Sequence, residues 1–428
     1  MKDFNYFNTL LVQSVGSKVR AIAPSITSSA AFGYENAEEA ESIFKGEIAN
    51  PLYARVGNPT TTKLESIIAK MEGGLASIAT SSGMGAMAMV MTAYLKSEDE
   101  VLCIGGFFGG TYTLVNETMK RFGIKSSFCD IDDFEQIEET LKKGIHMVLI
   151  ESVGNPSLEL PDLPKIIKLC NKYETLLVVD NTVTPLTLRP LEMGADIVIH
   201  STTKAISGHS AALGGVAVFR AINTKDKLHN DKYKELHPII NKMKKKAMVA
   251  IAKKRGMRDI GMSANAHGSF LTMLGLETLA LRLQRVNDSL PKIVKILEKN
   301  LPKHIKVSHP SLKSNPYHKR FVSDFNYACG PIITLECSNK STAFKLLNKL
   351  EIVTQTANIG DNRTLALHMA STIYRDFDED TQKYLGVTEG LIRISIGLED
   401  PETIAKDFLQ AINHGNSSLN PKEENSVN

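Results

Sequence analysis

The sequence predicts an α/β protein: a large domain built on a mainly parallel β-sheet, then a smaller α+β domain. Three observations carry this expectation. From about residue 60, short apolar runs alternate with longer segments of helical spacing, as in a parallel sheet whose crossovers are helices. After about residue 220 the alternation stops and a long helical stretch opens a different pattern. The 428 residues leave room for two to three domains at roughly 150 residues each.

In chain order, Thr62 to Met71 has helical spacing and Ser77 to Thr80 reads as a strand. Met84 to Leu95 is an apolar helix, followed by the short run Val101–Ile104. Helices are expected at Thr111–Arg121, Asp133–Leu141 and Leu163–Tyr173, and strands at Met147–Ile150, Leu176–Val179, Ile197–Ile199 and Val216–Phe219. Leu236 to Arg258 holds eight Lys or Arg and no acid. One long helix is expected from about Ala264 to Asn300. The second domain continues with a strand at Ile332–Glu336, a helix at Thr342–Leu350, a strand at Leu391–Ile396 and a helix at Glu402–Ile412. The polar residues 415–428 are expected to form a flexible tail.

Composition narrows the function classes. Fifty Lys plus Arg against 47 Asp plus Glu give a net charge of +3, too small for a global nucleic-acid or membrane binder. No apolar run reaches the ~18 residues of a membrane span. Met1-Lys2-Asp3-Phe4 lacks the basic-then-apolar order of a signal peptide. The five cysteines form no CxxC. They read as reduced residues of a cytoplasmic protein, with neither a disulfide frame nor a metal site expected.

Four places stand out chemically. Ser81-Ser82-Gly83-Met84-Gly85 follows a strand and opens a helix, where free backbone N–H groups bind phosphate; the alternative is glycines that only permit close packing. The spelling Gly83-x-Gly85-x-x-Ala88 imitates a dinucleotide fingerprint, but the next strand ends in Cys103-Ile104-Gly105-Gly106 without the required acid. Asp180 ends an apolar strand, as a functional carboxylate or as a cap for the next turn. Lys204 follows His200-Ser201-Thr202-Thr203 at another strand end. Arg393 interrupts an alternating strand, pointing to a salt bridge or to a site that grips a carboxylate with two parallel hydrogen bonds. Together they suggest pyridoxal phosphate, which needs a lysine, a carboxylate for its ring nitrogen and a nest of phosphate donors.

At this level the sequence resembles the γ-family of fold-type-I pyridoxal phosphate enzymes of cysteine and methionine metabolism. The matching strings are Pro51-Leu52-Tyr53-Ala54-Arg55-Val56-Gly57-Asn58-Pro59-Thr60, Ser82-Gly83-Met84, Val179-Asp180-Asn181-Thr182, His200-Ser201-Thr202-Thr203-Lys204 and Arg393-Ile394-Ser395-Ile396-Gly397-Leu398-Glu399. The resemblance implies a seven-stranded, mainly parallel cofactor domain. It divides the chain into an N-terminal arm (1–56) that contacts a neighbouring subunit, a cofactor domain (57–258) and a C-terminal domain (259–414). It implies Lys204 as the Schiff-base lysine, Asp180 as partner of the ring nitrogen, and Asn155 near the cofactor's phenolic oxygen. Ser82, Gly83, Met84, Ser201 and Thr203 match residues around the phosphate. Tyr53 and Arg55 match residues that serve the neighbour's site, Tyr53 also facing substrate, so a homodimer pairing into a tetramer is implied. Arg393 matches the residue that holds the substrate carboxylate, with Asn358 beside it.

Within the family, Arg255-Gly256-Met257-Arg258-Asp259-Ile260-Gly261, Gly275-Leu276-Glu277-Thr278-Leu279 and Ala357-Asn358-Ile359-Gly360-Asp361-Asn362-Arg363-Thr364-Leu365-Ala366-Leu367-His368 resemble the O-acetylhomoserine sulfhydrylases. Two positions depart from the pattern. Phe108 stands where the family's ring-stacking tyrosine is usual, so it can stack but has no hydroxyl for proton transfer, and Met369 replaces a proline. The expected reaction is O-acetyl-L-homoserine plus sulfide, or another sulfur donor, giving L-homocysteine and acetate. Cystathionine γ-synthase and methionine or cystathionine γ-lyase are the alternatives within the family, and a non-catalytic binding protein is the alternative outside it. The basic stretch reads either as a solvated helix face or as a patch that attracts an anion such as an acidic sulfur-carrier protein.

Overall fold

The computed structural model describes residues 4–15, 21–48 and 50–416. They form two compact units, one comprising residues up to Asn155 and Glu159–Leu281, the other Pro156–Leu158 and the residues from Arg282 onward. The sequence sets this division near residue 258. It falls later because the helix Ala266–Glu277 packs on the helix Pro59–Glu72 of the first unit.

The first unit holds a seven-stranded sheet: β1 (Ala76–Thr80), β2 (Glu100–Ile104), β3 (Lys125–Cys129), β4 (Met147–Glu151), β5 (Leu176–Asp180), β6 (Ile197–His200) and β7 (Gly215–Phe219). Their spatial order is β1-β7-β6-β5-β4-β2-β3. Only β7 runs against its neighbours. The central strands β4, β5 and β6 are buried almost throughout, as parallel strands covered on both faces must be. β3 was not expected from the sequence: Lys125-Ser126-Ser127-Phe128-Cys129 buries only Cys129, because it is an edge strand with no continuous apolar run.

Local signals set the helices. Pro59–Glu72 starts with Asn58, whose side chain accepts the Thr60 N–H at 2.9 Å, and with proline in the first turn. It stops at Gly73, whose φ of 72° favours glycine. Gly83–Tyr94 starts at Ser82, whose hydroxyl accepts the Gly85 N–H at 3.0 Å. The helix expected at Thr111–Arg121 is instead a short α-turn, a π-turn and a 3₁₀-turn ending at Phe122. The basic stretch is likewise broken into short helical pieces. It buries Ile240, Ala247, Met248, Ile251 and Met257 while Lys242 and Lys244–Lys246 are exposed.

The long helix expected over 264–300 is two helices, Ala266–Glu277 and Leu279–Asn300. At the break, Thr278 Oγ1 donates to Gly275 O at 3.4 Å, the local competition that makes such residues poor helix interiors. The N-terminal helix Phe4–Val15 buries Phe7 and Leu11 within the first unit.

The second unit carries a five-stranded sheet: β8 (Ile305–Ser308), β9 (Ile332–Cys337), β10 (Thr354–Gln355), β11 (Leu365–His368) and β12 (Leu391–Ser395), ordered β10-β11-β12-β9-β8. The helices Leu279–Asn300, Lys340–Leu347 and Pro401–Asn416 contribute to its apolar core, which includes Ile293, Leu297, Leu346 and Phe408. The helix Pro401–Asn416 takes in the first two residues of the expected tail, and 417–428 lie outside the described residues. Among the described residues no helix is long and apolar enough to cross a membrane.

Candidate active site

The parallel strands point their carboxyl ends to one side of the sheet, where Asp180 ends β5 and Gly83, Phe108, Asn155 and Lys204 follow β1, β2, β4 and β6. Asp180 ends β5 and pairs in register with Ile199 of β6. Its Oδ1 accepts the Thr182 N–H at 3.0 Å. Thr182 Oγ1 in turn accepts the Ser201 N–H at 2.8 Å, which ties the end of β5 to the end of β6. Burial raises the Asp180 carboxyl above its ordinary range, opposed by the Thr182 hydrogen bonds and the nearby His200. Lys204 follows in a tight turn, its N–H donating to Ser201 O and its carbonyl accepting from Gly208.

The start of the helix Gly83–Tyr94 closes on this turn. A Cβ on Gly83 would stand 2.7 Å from Ser201 Cβ and 3.0 Å from its hydroxyl oxygen. Only glycine allows that approach, so the free N–H groups of the first helical turn and the Ser201 hydroxyl share one cradle. Thr203 is less available: its hydroxyl donates to Gly214 O at 3.1 Å and accepts the Gly214 N–H at 3.0 Å. Gly275 packs on the other side of the turn, where a Cβ would stand 2.3 Å from Ser207 O.

Phe108 caps the short helix Gly109–Thr113 without a side-chain capping bond. Its ring lies on Gly110, where an added Cβ would meet the ring at 2.7 Å and Met84 Sδ at 3.6 Å. Asn155 is buried in the loop after β4. Tyr53 is 49% exposed, with the Arg55 guanidinium 5.7 Å from its ring centroid. Arg55 donates to Arg258 O and lies against Gly261. Both are exposed on the loop before the helix Pro59–Glu72.

In the second unit, Arg393 sits on β12 opposite Thr334 of β9 and Leu367 of β11. It is 3% exposed, and its Nη2 donates to the carbonyls of Ala357 and Asn358, each at 3.3 Å. Burial lowers its pKa to about 10, with Tyr374 opposing. The structure thus brings Asn358 and Arg393 together, but through the Asn358 main chain. Ser395 Oγ on the same strand accepts the Gly360 N–H at 2.8 Å.

The sequence reading passed over three groups. Glu151 ends β4 in register with Asp180, and its Oε1 accepts the Phe108 N–H at 2.8 Å. Burial and the Asp180 charge push its carboxyl well above the usual range. Glu72 and His200 form a fully buried pair behind the strand ends, and Tyr374 is buried beside Arg393. The strand-end rule that singled out Asp180 applies equally to Glu151; nothing in the sequence pairs Glu72 with His200.

The donor set fits pyridoxal phosphate: a lysine and a carboxylate at neighbouring strand ends, an aromatic ring, and a helix start closed on a serine through a glycine that no larger residue replaces. Comparison with known proteins agrees. Residues 8–413 match the family model described as Cys/Met metabolism PLP-dependent enzyme.

The chain belongs to this family.

Pyridoxal phosphate is its cofactor, and sulfur amino-acid metabolism is its field. Relatives within the family carry different names. The chain is 33% identical over 398 residues to an L-methionine gamma-lyase of Fusobacterium nucleatum subsp. polymorphum, covering 91% of this chain and 93% of that protein. It is 32% identical over 424 residues to a homocysteine synthase of Schizosaccharomyces pombe, covering 96% and 99%. Among solved structures, one from Campylobacter jejuni assigned as an O-acetylhomoserine (thiol)-lyase superposes with a TM-score of 0.88 at 30% identity, covering 95% of this chain and 99% of that one. That structure contains a pyridoxyl-lysine monophosphate. The fold is therefore that of the fold-type-I pyridoxal phosphate enzymes.

Proposed function

We propose that this enzyme replaces the acetoxy group of O-acetyl-L-homoserine by a sulfur nucleophile, giving L-homocysteine and acetate. The observation that carries this reading is Phe108, which presents a ring without a hydroxyl at the cofactor cradle. A departing carboxylate resembles a Glu side chain, with a pKa of about 4.3, whereas a departing thiolate resembles Cys at about 8.5. The first leaves readily without a proton donor and the second benefits from one. A site lacking the phenol therefore suits an O-acyl substrate better than a thioether. The stretches around Gly256, Gly275 and Asn358 support the same reading.

Pyridoxal phosphate, when bound, supplies an electron sink for the carbon atoms beside the substrate amine. The chain's residues do the rest. Asp180 holds the proton on the ring nitrogen. The first N–H groups of the helix at Gly83 and Met84, with Ser82 and Ser201, would bind the phosphate, joined by Thr203 once its hydroxyl turns from the Gly214 carbonyl, and Phe108 would stack on the ring. Asn155 would hold the phenolic oxygen. Lys204 Nζ accepts the substrate's Cα proton and returns one at the end. Arg393 holds the substrate carboxylate, with Asn358 beside it. Tyr53 and Arg55 complete the site of a neighbouring subunit, which makes a homodimer the smallest active unit and a homotetramer the expected assembly. A cytoplasmic location accords with five free, buried cysteines. The exposed Lys244–Lys246 suit an acidic carrier protein as sulfur source.

Product analysis tests the reading. O-acetyl- and O-succinyl-homoserine are each supplied with sulfide, methanethiol or cysteine. Homocysteine from the acetyl ester and sulfide is the expected main product. Cystathionine from the succinyl ester and cysteine as the main product would make the enzyme a cystathionine γ-synthase instead.

A further inference from the structure

The loop between β2 and the helix Gly109–Thr113 carries the Phe108 ring and is braced by two carboxyl groups. Glu159 Oε2 accepts the Gly106 N–H at 2.8 Å, and Glu151 Oε1 accepts the Phe108 N–H at 2.8 Å. Glu151 also accepts a backbone hydrogen bond from Asn155. It therefore joins the ring-bearing loop to the Asn155 loop from the end of β4, one strand away from Asp180.

We propose that Glu151 is a positioning residue for the cofactor: its carboxyl locks the main chain at Phe108 and Asn155 together, and so fixes the stacking ring over the end of β5. The inference deepens the reading above, and it rests on the cofactor assignment and not on the choice of substrate. Two buried carboxyls on adjacent strand ends do not both ionise without cost. Asp180 has the Thr182 hydrogen bonds and His200 to favour its charge, while Glu151 has Asp180 itself against it. The proton therefore rests on Glu151, whose remaining lone pairs still accept the two N–H groups. A glutamine at this position offers the same acceptor without a charge; an alanine leaves buried donors unsatisfied.

Pyridoxal phosphate titrated into the full-length apoenzyme, followed by visible circular dichroism, tests this. Glu151→Gln should bind within about threefold of wild type with an unchanged band, because its amide oxygen replaces the acceptor. Glu151→Ala should raise the dissociation constant about tenfold and alter the band. In a Phe108→Ala background, the same Glu151→Ala change should add only about threefold or less, since the ring it positions is gone. A Gln variant that behaves like the Ala variant overturns the proposal. So do Glu151→Ala and Phe108→Ala effects that multiply in full. Should Glu151→Ala not fold, Glu151→Asp, one methylene too short to reach both loops, takes its place in the cycle. No substrate enters the measurement, so its failure leaves the proposed reaction standing, and a different reaction leaves this result standing.

Discussion

His200 donates to Glu72 Oε1 at 2.7 Å, and solvent reaches neither side chain. Asn181 Nδ2 donates to the same carboxylate oxygen at 3.3 Å. Glu72 ends the helix Pro59–Glu72, His200 ends β6 and Asn181 follows Asp180. One buried carboxylate thus fastens the two strand ends that present Asp180 and Lys204. Removing His200 leaves a buried hydrogen-bonding group of Glu72 without this partner. His200→Ala should destabilise the protein by about 2 kcal/mol, with His200→Gln recovering part of the loss. Urea unfolding checks this, and a loss well under 1 kcal/mol for His200→Ala would contradict it.

Lys204→Ala should abolish turnover and the visible band of lysine-bound cofactor while leaving the fold intact. Circular dichroism in the far ultraviolet and absorbance of the purified protein read the two effects separately. Turnover near the wild-type rate would remove Lys204 from the mechanism.

Arg55→Ala should weaken cofactor retention, and mixing it with Lys204→Ala should restore some activity. The exposed positions of Tyr53 and Arg55 motivate this, because a mixed dimer then owns one site with both residues intact. Absence of recovery after demonstrated subunit exchange would mean that the sites are not shared.

Burial pushes the Glu65 carboxyl up to about 7, against the Ala79 N–H and the nearby Lys253 charge. The folded chain therefore keeps a proton that the unfolded chain releases near the ordinary carboxylate range. The stability tied to this group is full at low pH, declines as pH rises toward 7 and stays low above it. Relative to wild type, Glu65→Gln should gain on the order of 3 kcal/mol at pH 8 and almost nothing at pH 4. A difference that does not vary with pH would contradict the assignment.

Much of the site was legible because it lies at the ends of buried parallel strands, whose apolar runs are visible and whose terminal polar residues therefore stand out. Asp180, Lys204 and Gly83 were read that way. Arg393 stood out as a charge inside an alternating strand, and the structure places it in the buried face of β12. β3 escaped because an edge strand needs no apolar run, and β10 because it is two exposed residues long. The buried Glu72–His200 pair spans 128 positions, a contact that periodicity does not encode. Gly275, read as part of a subfamily signature, also has a packing role against Ser207.

The most direct test of the proposed reaction is a comparison of kcat/KM on one holoenzyme preparation, for O-acetyl-L-homoserine with sulfide and for L-methionine alone. The Phe108 argument predicts homocysteine formation from the ester to exceed methionine cleavage by about a hundredfold or more, the worth of a missing general acid. Methanethiol and 2-oxobutanoate released from methionine at an equal or greater kcat/KM would contradict it and make the enzyme a γ-lyase.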